Sequence, residues 1–253
     1  MAAITVFKRY EKKYLMDEAV MNRLLPEIRT HMEADKYCRE GQTYSICNLY
    51  FDTDQYDVIR ESLSKPFYKE KLRLRSYGLP RSPEDMVFLE MKKKVNRMVT
   101  KRRASLTLQE AELFLTKRKF PDKASYMTNQ VLKEIAYYLQ HKKVKPVMRL
   151  SYDRMAFFDR EDPAFRLTFD QNIRYLRGNI GFGNREEGSP LMAEDFRLME
   201  VKVSEAFPLW FANLLSRENV HISSFSKYGV AYKTYLKEEV LEDSEAVNVL
   251  GHI

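Results

Sequence analysis

Lys71-Leu72-Arg73-Leu74-Arg75 and Glu90-Met91-Lys92-Lys93-Lys94 decide how this chain is read. Both alternate, and side chains two apart on a strand share a face. Lys71, Arg73 and Arg75 therefore stand together, as do Glu90, Lys92 and Lys94, while the opposite parity is largely apolar. Four further stretches behave in the same way: Arg9-Tyr10-Glu11-Lys12-Lys13, Arg149-Leu150-Ser151, Arg166-Leu167-Thr168-Phe169-Asp170 and Glu200-Val201-Lys202. One such strand is an ordinary solvated sheet face. Six of them, with basic residues well in excess of acidic ones, need another reason. Two like charges about 4 Å apart cost roughly 4 kcal/mol at an effective dielectric near 20. If these faces converge, the cluster is tolerable only when hydrated or holding an anion, so the pattern implies a polyanion site lined by strands.

Working outward, the remaining sequence supplies enough elements for one large β-rich domain over residues 1–253, with a core at about 4–240 and a tail at 241–253. Strands are expected at about 4–14, 44–51, 67–78, 86–95, 97–106, 147–158, 164–171 and 194–203, making eight. Asp17 opens an amphipathic helix bearing Val20, Leu24, Leu25 and Ile28, which Pro26 is expected to interrupt. Asp52-Thr53-Asp54 reads as a second helix entry. Residues 108–142 are helical in period with a break at Pro121, and helices at about 205–218 and 227–239 end the fold. A Gly-rich loop runs from Gly178 to Gly188, and the acidic run from Glu238 to Glu245 reads as a solvated end. The fold class is therefore α+β. Eight antiparallel strands are expected to close into a barrel that removes its edges, with the charged parity inside and the apolar parity packed against outer helices.

The net charge of +7 and pI of about 9.2 suit a negatively charged partner, whether nucleic acid, lipid or a phosphate-rich molecule. Nucleic acid is disfavoured, because no zinc, helix-turn-helix or aromatic-sheet signature accompanies the charge. Cys38 and Cys47 are too few for a disulfide framework and lack metal-ligand spacing, which suits a reducing compartment. The first charged strand begins within a few residues of Met1 and no apolar run reaches the roughly 20 residues of a membrane span, so a cytoplasmic location is expected.

Arg73 and Arg75 are the strongest ligand pair, since guanidinium forks fit phosphate oxygens bidentately. The alternative is cross-strand pairing with Glu90 or Glu200. Lys92, Lys101, Arg103, Arg149 and Arg166 would extend the grip along a chain of phosphates. Glu200 and Glu11 face the same basic surface and are candidate ligands of a hard divalent cation shared with phosphate. A salt bridge from Glu200 to Lys13 or Lys202 is the competing and compatible reading. Ser226-Lys227-Tyr228 opens the last helix, where backbone N–H groups and Lys227 would suit a phosphate, and where Ser226 would equally serve as a plain cap. His31, His141, His221 and His252 are scattered, and no nucleophile has a supporting base. That combination suits phosphoryl transfer, in which positioning and charge supply most of the catalysis.

Taken in order, several motifs resemble the VTC domain, the polyphosphate polymerase domain of the vacuolar transporter chaperone type within the triphosphate tunnel metalloenzyme superfamily. They are the first strand ending at Lys13, Leu49-Tyr50-Phe51-Asp52, Leu72-Arg73-Leu74-Arg75-Ser76-Tyr77-Gly78 and Phe88-Leu89-Glu90-Met91-Lys92. Pro146-Val147-Met148-Arg149, Leu198-Met199-Glu200-Val201-Lys202 and Phe225-Ser226-Lys227-Tyr228 complete the series. The resemblance runs from Arg9 to about Tyr235. It implies an eight-stranded tunnel that binds a triphosphate with Mn²⁺ or Mg²⁺ and moves the γ-phosphoryl of ATP onto a growing polyphosphate chain. By position it implies catalytic roles for Lys13, Arg73, Arg75, Lys92, Arg149, Lys202 and Lys227. Arg9, Lys101, Arg103, Arg166 and Ser226 become further phosphate ligands, and Glu200 and Glu11 metal ligands. Hydrolase and cyclase members of the superfamily typically begin with Glu-x-Glu-x-Lys, whereas Arg9 stands at the first position here, which favours a polymerase. A tripolyphosphatase or nucleoside triphosphatase on the same fold, and a non-catalytic polyphosphate or inositol-phosphate binding module, are the alternatives. The expected partners are ATP and inorganic polyphosphate or triphosphate, with membrane association through a partner protein as in the family's eukaryotic complex.

Overall fold

The computed structural model describes residues 10–38, 41–96, 98–162, 164–177, 180–183 and 187–236. Its strands are β1 (Tyr10–Asp17), β2 (Met32–Ala34), β3 (Tyr44–Asp52), β4 (Tyr68–Tyr77), β5 (Met86–Val95), β6 (Met98–Thr107), β7 (Lys145–Asp159), β8 (Arg166–Leu176), β9 (Ser189–Pro190) and β10 (Phe196–Val203). Its helices are α1 (Glu18–His31), α2 (Asp57–Leu63), α3 (Leu108–Lys117), α4 (Tyr126–His141), α5 (Leu209–Arg217) and α6, helical over 227–236. The alternating segments form strands close to the expected positions. The short β2 and β9, with little sequence to mark them, were not expected; they pair with the margins of β7 and β8.

Local chemistry fixes the helix entries. The Asp17 carboxylate accepts from the Val20 N–H to start α1, Thr107 and Glu110 form a reciprocal capping box on α3, and Ser125 caps α4. Asp52 caps α2, accepting from the Val58 and Ile59 N–H groups at 2.8 and 2.9 Å. The break expected at Pro26 does not occur, and α1 continues through it to His31. An interior proline costs about 3 kcal/mol. Here Pro26 and Asn22 face water, so the orphaned carbonyl is solvated, while Met21, Leu24, Leu25 and Ile28 are buried on the other face. Burial of roughly 1.5–3 kcal/mol for each such side chain outweighs the defect.

One antiparallel path runs β1-β10-β8-β7-β3-β4-β5-β6, with β2 and β9 attached beside it. Among the described residues β1 and β6 do not pair, so the expected closed eight-stranded barrel is replaced by an open sheet of ten strands. The sheet still curls, because Glu11 on β1 lies within electrostatic reach of Lys92 on β5, and Lys13 within reach of Lys71 on β4.

The outer parity is apolar and packs under helices, as expected. Met199, Val201 and Val203 meet Leu24 and Ile28 of α1 and Phe211 and Leu214 of α5. Leu72, Leu74, Leu89 and Met91 meet Phe114 of α3 and Leu132 and Ile135 of α4. The expectation that every helix lies outside fails for α2 and α6. Ile59 of α2 and Tyr228, Ala231 and Tyr232 of α6 join Ile46, Leu150 and Leu198 in a third apolar cluster on the inner parity. This cluster fills part of the inner face and leaves the charged part beside it.

Candidate polyanion site

Cross-strand register assembles the first group of charges. Arg73 on β4 stands opposite Glu90 on β5, which stands opposite Arg103 on β6. Glu90 is buried and accepts from Arg73 Nε at 2.7 Å and Arg103 Nε at 2.6 Å. Lys101 Nζ lies 2.6 Å and Arg75 Nε 4.0 Å from the same carboxylate. One carboxylate thus gathers four cations. Burial pushes Glu90 toward protonation, but Arg73, Arg75 and Lys101 together outweigh it and hold the carboxyl well below its ordinary range. Arg73 also donates to the Tyr50 hydroxyl at 3.3 Å, and Arg75 to Asn48 Oδ1 at 2.9 Å and the Tyr152 hydroxyl at 3.4 Å. The two guanidinium groups are held on side chains of β3 and β7 before any ligand arrives.

A second group forms where β8, β10 and β1 adjoin. Asp170 on β8 receives a bidentate pair from Arg154 on β7, at 2.6 and 2.7 Å, and lies 2.5 Å from Lys227 Nζ. Glu200 on β10 meets Lys227 at 2.9 Å, Lys13 at 3.2 Å and Arg154 at 3.6 Å. Glu11 lies 3.6 Å from the same Lys13 ammonium. Burial raises the Glu200 carboxyl, yet Lys227, Lys13 and Arg154 hold it well below the ordinary value. Here cations and carboxylates are nearly matched.

Between the two groups stand Lys71, Lys92 and Lys202, all on the inner parity. Among the described residues none of the three has an ion-paired carboxylate. Burial lowers Lys71, and Lys69, Lys92 and Lys13 lower it further, to about 8. Burial likewise lowers Lys202, against the pull of Glu200 and Glu11. Lys71 and Lys202, pushed toward neutrality chiefly by burial, are ready to accept an anion, whose charge would offset that penalty.

The structure thus brings together Lys13, Arg73, Arg75, Lys92, Lys101, Arg103, Lys202, Lys227, Glu11 and Glu200 of the residues expected at the site. It does not bring Arg149 to them. That side chain is opposite Leu49 on the outer parity, buried, and donates to the Gly181 carbonyl at 3.4 Å. The sequence signal was misleading because Arg149 alternates one residue out of phase with Tyr152 and Arg154. Arg166 shares the face of Lys202 but lies over the Phe158 ring at 4.9 Å, at the margin. Ser226 acts as the helix cap, its Oγ accepting from the Gly229 N–H, and Lys227 is committed to Asp170 and Glu200. Arg9 lies outside the described residues. Arg154, Tyr50, Asn48 and Tyr152 are functional-face residues that the reading missed. Parity held the signal for Arg154, which lies two residues from Tyr152 on the expected strand at about 147–158.

A divalent cation fits this face only in company. Glu11 and Glu200 share one ammonium, and the buried Thr168 Oγ1, opposite Glu200 in the register, has no hydrogen-bond partner among the described residues. These are hard oxygen donors. No group of three or more His, Cys, Asp or Glu side chains suited to a metal occurs among the described residues. One or two carboxylates completed by phosphate oxygens and water is the usual habit of Mg²⁺.

Comparison with known proteins accords with this geometry. A solved structure from Bacillus halodurans, described as a candidate adenylate cyclase, superposes with a TM-score of 0.50 at 17% identity, over 85% of this chain and 92% of that one, and so shares the fold. Vacuolar transporter chaperone complex subunit 4 of Trypanosoma cruzi is 25% identical over 88% of this chain and 33% of its own length. The Schizosaccharomyces pombe subunit 4 is 26% identical over 73% of this chain and 31% of its own length, so the chain spans about a third of these relatives. The family model described as the VTC domain matches residues 8–236, which take in both charge groups and the lysines between them, and the chain belongs to the VTC domain family.

Proposed function

We propose that this protein is a metal-dependent polyphosphate polymerase, an ATP–polyphosphate phosphotransferase that moves the γ-phosphoryl of ATP onto a polyphosphate chain lying along the inner face. The supporting observation is the row Lys71, Lys92 and Lys202, without paired carboxylates, between the Glu90 and Glu200 groups. A phosphate chain supplies the missing negative charge at regular intervals, and Arg73 and Arg75 supply bidentate donors beside it. The family membership points to the same substrate class.

In the proposed step a terminal oxygen of the bound chain attacks the γ-phosphorus of ATP. The bond to the β-phosphate oxygen breaks, and its electron pair leaves with ADP. The attacking oxygen is already anionic, so no general base is required. Arg73, Lys71 and Lys92 align the two anions that must approach each other, and their charge offsets the repulsion between them. Glu90 keeps Arg73 and Arg103 oriented without entering the reaction. Glu11 and Glu200, with Thr168 beside them, would hold Mn²⁺ or Mg²⁺, whose charge would offset that on the phosphate oxygens.

The test is incubation of the purified chain with ATP and Mn²⁺ or Mg²⁺, with and without a short polyphosphate primer, resolving products by gel beside Arg73→Ala and Glu200→Gln. Long polyphosphate made by the unaltered protein and lost in Arg73→Ala is the expected result. Phosphate release without a lengthened chain would replace the polymerase with a hydrolase. Tight polyphosphate binding with no turnover under any metal would replace it with a binding module.

A further inference from the structure

Large apolar side chains gather, exposed, at the end of the sheet where β4 begins and the β5–β6 hairpin turns. Phe67 is 70% exposed, Met98 57%, Tyr68 44%, and Val95 and Val99 each 40%. They are neighbours rather than scattered residues. Tyr68 pairs with Val95, Val95 with Met98, Lys94 with Val99, and the Asn96 N–H donates to the Phe67 carbonyl at 2.6 Å. Strand parity places Tyr68, Val95 and Met98 on one side of the tip and Val99 on the other, so the apolar surface wraps around it. Asn96, at a φ of 55°, takes the left-handed conformation that a tight two-residue hairpin turn demands. A natural protein rarely leaves such a cluster on a protruding turn without a use.

Its rim is basic. Lys65, Lys69, Lys93 and Lys94 adjoin the tip, and of the carboxylates within reach of Tyr68, Glu70 is paired with Lys93 at 3.2 Å and Glu61 with Lys142 at 3.4 Å. Lys94, Lys92 and Lys65 crowd Lys69, which burial and this crowding together hold below its ordinary value. We infer that this tip docks on an anionic lipid bilayer, with Phe67, Met98 and Tyr68 entering the interface and the lysines meeting the headgroups. Charge complementarity selects this occupant. A second copy of the chain meeting the same tip would bring lysine against lysine, whereas an anionic surface satisfies the basic rim while the acyl boundary takes the apolar side chains. The inference does not depend on which phosphoryl reaction the inner face carries out.

The experiment is flotation of the full chain with phosphatidylcholine vesicles, with and without roughly one-third phosphatidylserine, across a salt series. Binding to the anionic vesicles alone, weakening as salt rises, is expected. The double variant Phe67→Ser/Met98→Ser is expected to weaken it by about tenfold or more, and Lys65→Glu/Lys94→Glu to abolish it. Arg73→Ala should float like the unaltered protein. Should the double variant melt differently, Phe67→Ser alone carries the test, since that ring is the most exposed of the set. Equal flotation of Phe67→Ser and the unaltered protein would overturn the inference, as would loss on Arg73→Ala, which would mean headgroups entering the inner face. It would also be overturned if Phe67→Ser abolished self-association or single-stranded DNA binding while no vesicle binding was found.

Discussion

The Glu90 group and the Glu200–Asp170 group occupy the same face of one sheet, yet they are built to different charge ratios. Around Glu90 a single carboxylate holds Arg73, Arg75, Lys101 and Arg103. Around Glu200, Asp170 and Glu11 three carboxylates hold Lys13, Arg154 and Lys227. The second group is nearly neutral and fixes the N-terminus of α6 against β8 and β10, with Glu11 and Glu200 at its edge as the candidate cation ligands. The first is strongly cationic and is held in place by one buried acid, by hydrogen bonds to Tyr50, Asn48 and Tyr152, and by the Phe88 ring under Arg103. An anion completes the first group and is redundant in the second. Binding and architecture are therefore separable on a face that looks uniformly charged in sequence.

The largest effects should come from removing each group's acid. Asp170→Asn leaves the buried Arg154 and Lys227 unbalanced and should lose about 3–5 kcal/mol of stability, read by chemical denaturation. Glu90→Gln unbalances one buried cation, Arg75, beside three that reach water, and should lose less. The difference lies in rescue. Added tripolyphosphate should stabilise Asp170→Asn by no more than it stabilises the unaltered protein, and Glu90→Gln by more than that. Equal rescue of both would erase the distinction between the groups.

Next in size, Arg73→Ala should weaken tripolyphosphate binding by about 1.5–3 kcal/mol, the worth of a charged hydrogen bond, as measured by calorimetry. Arg149→Ala, on the opposite face, should leave that affinity unchanged while lowering the melting temperature. A loss of affinity there as large as in Arg73→Ala would move the binding surface to the other parity.

The smallest expected effect is in pH dependence. Lys71 is depressed to about 8 in the folded chain, so it is charged below that value and loses its charge above it. Tripolyphosphate affinity should therefore fall as pH rises through about 8, and the fall should be shallower in Lys71→Gln. Stability of the free protein should move the other way. Between about 8 and the ordinary lysine value the unfolded chain binds more protons than the folded one, so this residue's penalty lessens as pH rises. An unchanged slope in Lys71→Gln would show that other groups govern the titration. At the acid end, Glu200 and Glu90 are depressed, so the stability they contribute is present above the ordinary carboxylate range and should be lost as pH falls below it.

Much of this was legible in the sequence, because period two is a strong signal. Leu72-Arg73-Leu74-Arg75 and the alternation around Glu200 placed the strands and assigned charged and apolar faces, and the structure packs the apolar parity under helices as that reading requires. What alternation does not carry is phase over a long strand or the path of the last helix. Arg149 and Arg154 lie on one strand five residues apart, and therefore on opposite faces, yet only the former drew attention. The failure of closure rests on which edges oppose each other, a property of the whole sheet's curl rather than of any segment. That α6 enters the inner face follows from the Tyr228 hydroxyl donating to Asp52 at 2.7 Å and from Lys227 reaching Asp170, contacts across 176 and 57 positions that no local pattern encodes. Pro26 was overread for a related reason, since local propensity lost to four buried side chains.

The most direct measurement of the polyanion site is calorimetric titration of tripolyphosphate into the unaltered protein and into Lys71→Gln, Lys92→Gln and Lys202→Gln, beside Lys93→Gln as an outer-face control, at two salt concentrations. Each of the three inner variants should weaken binding and flatten its salt dependence, and the control should match the unaltered protein. Inner variants that bind as tightly as the control, with the same salt slope, would contradict the assignment of this face as the phosphate-binding surface.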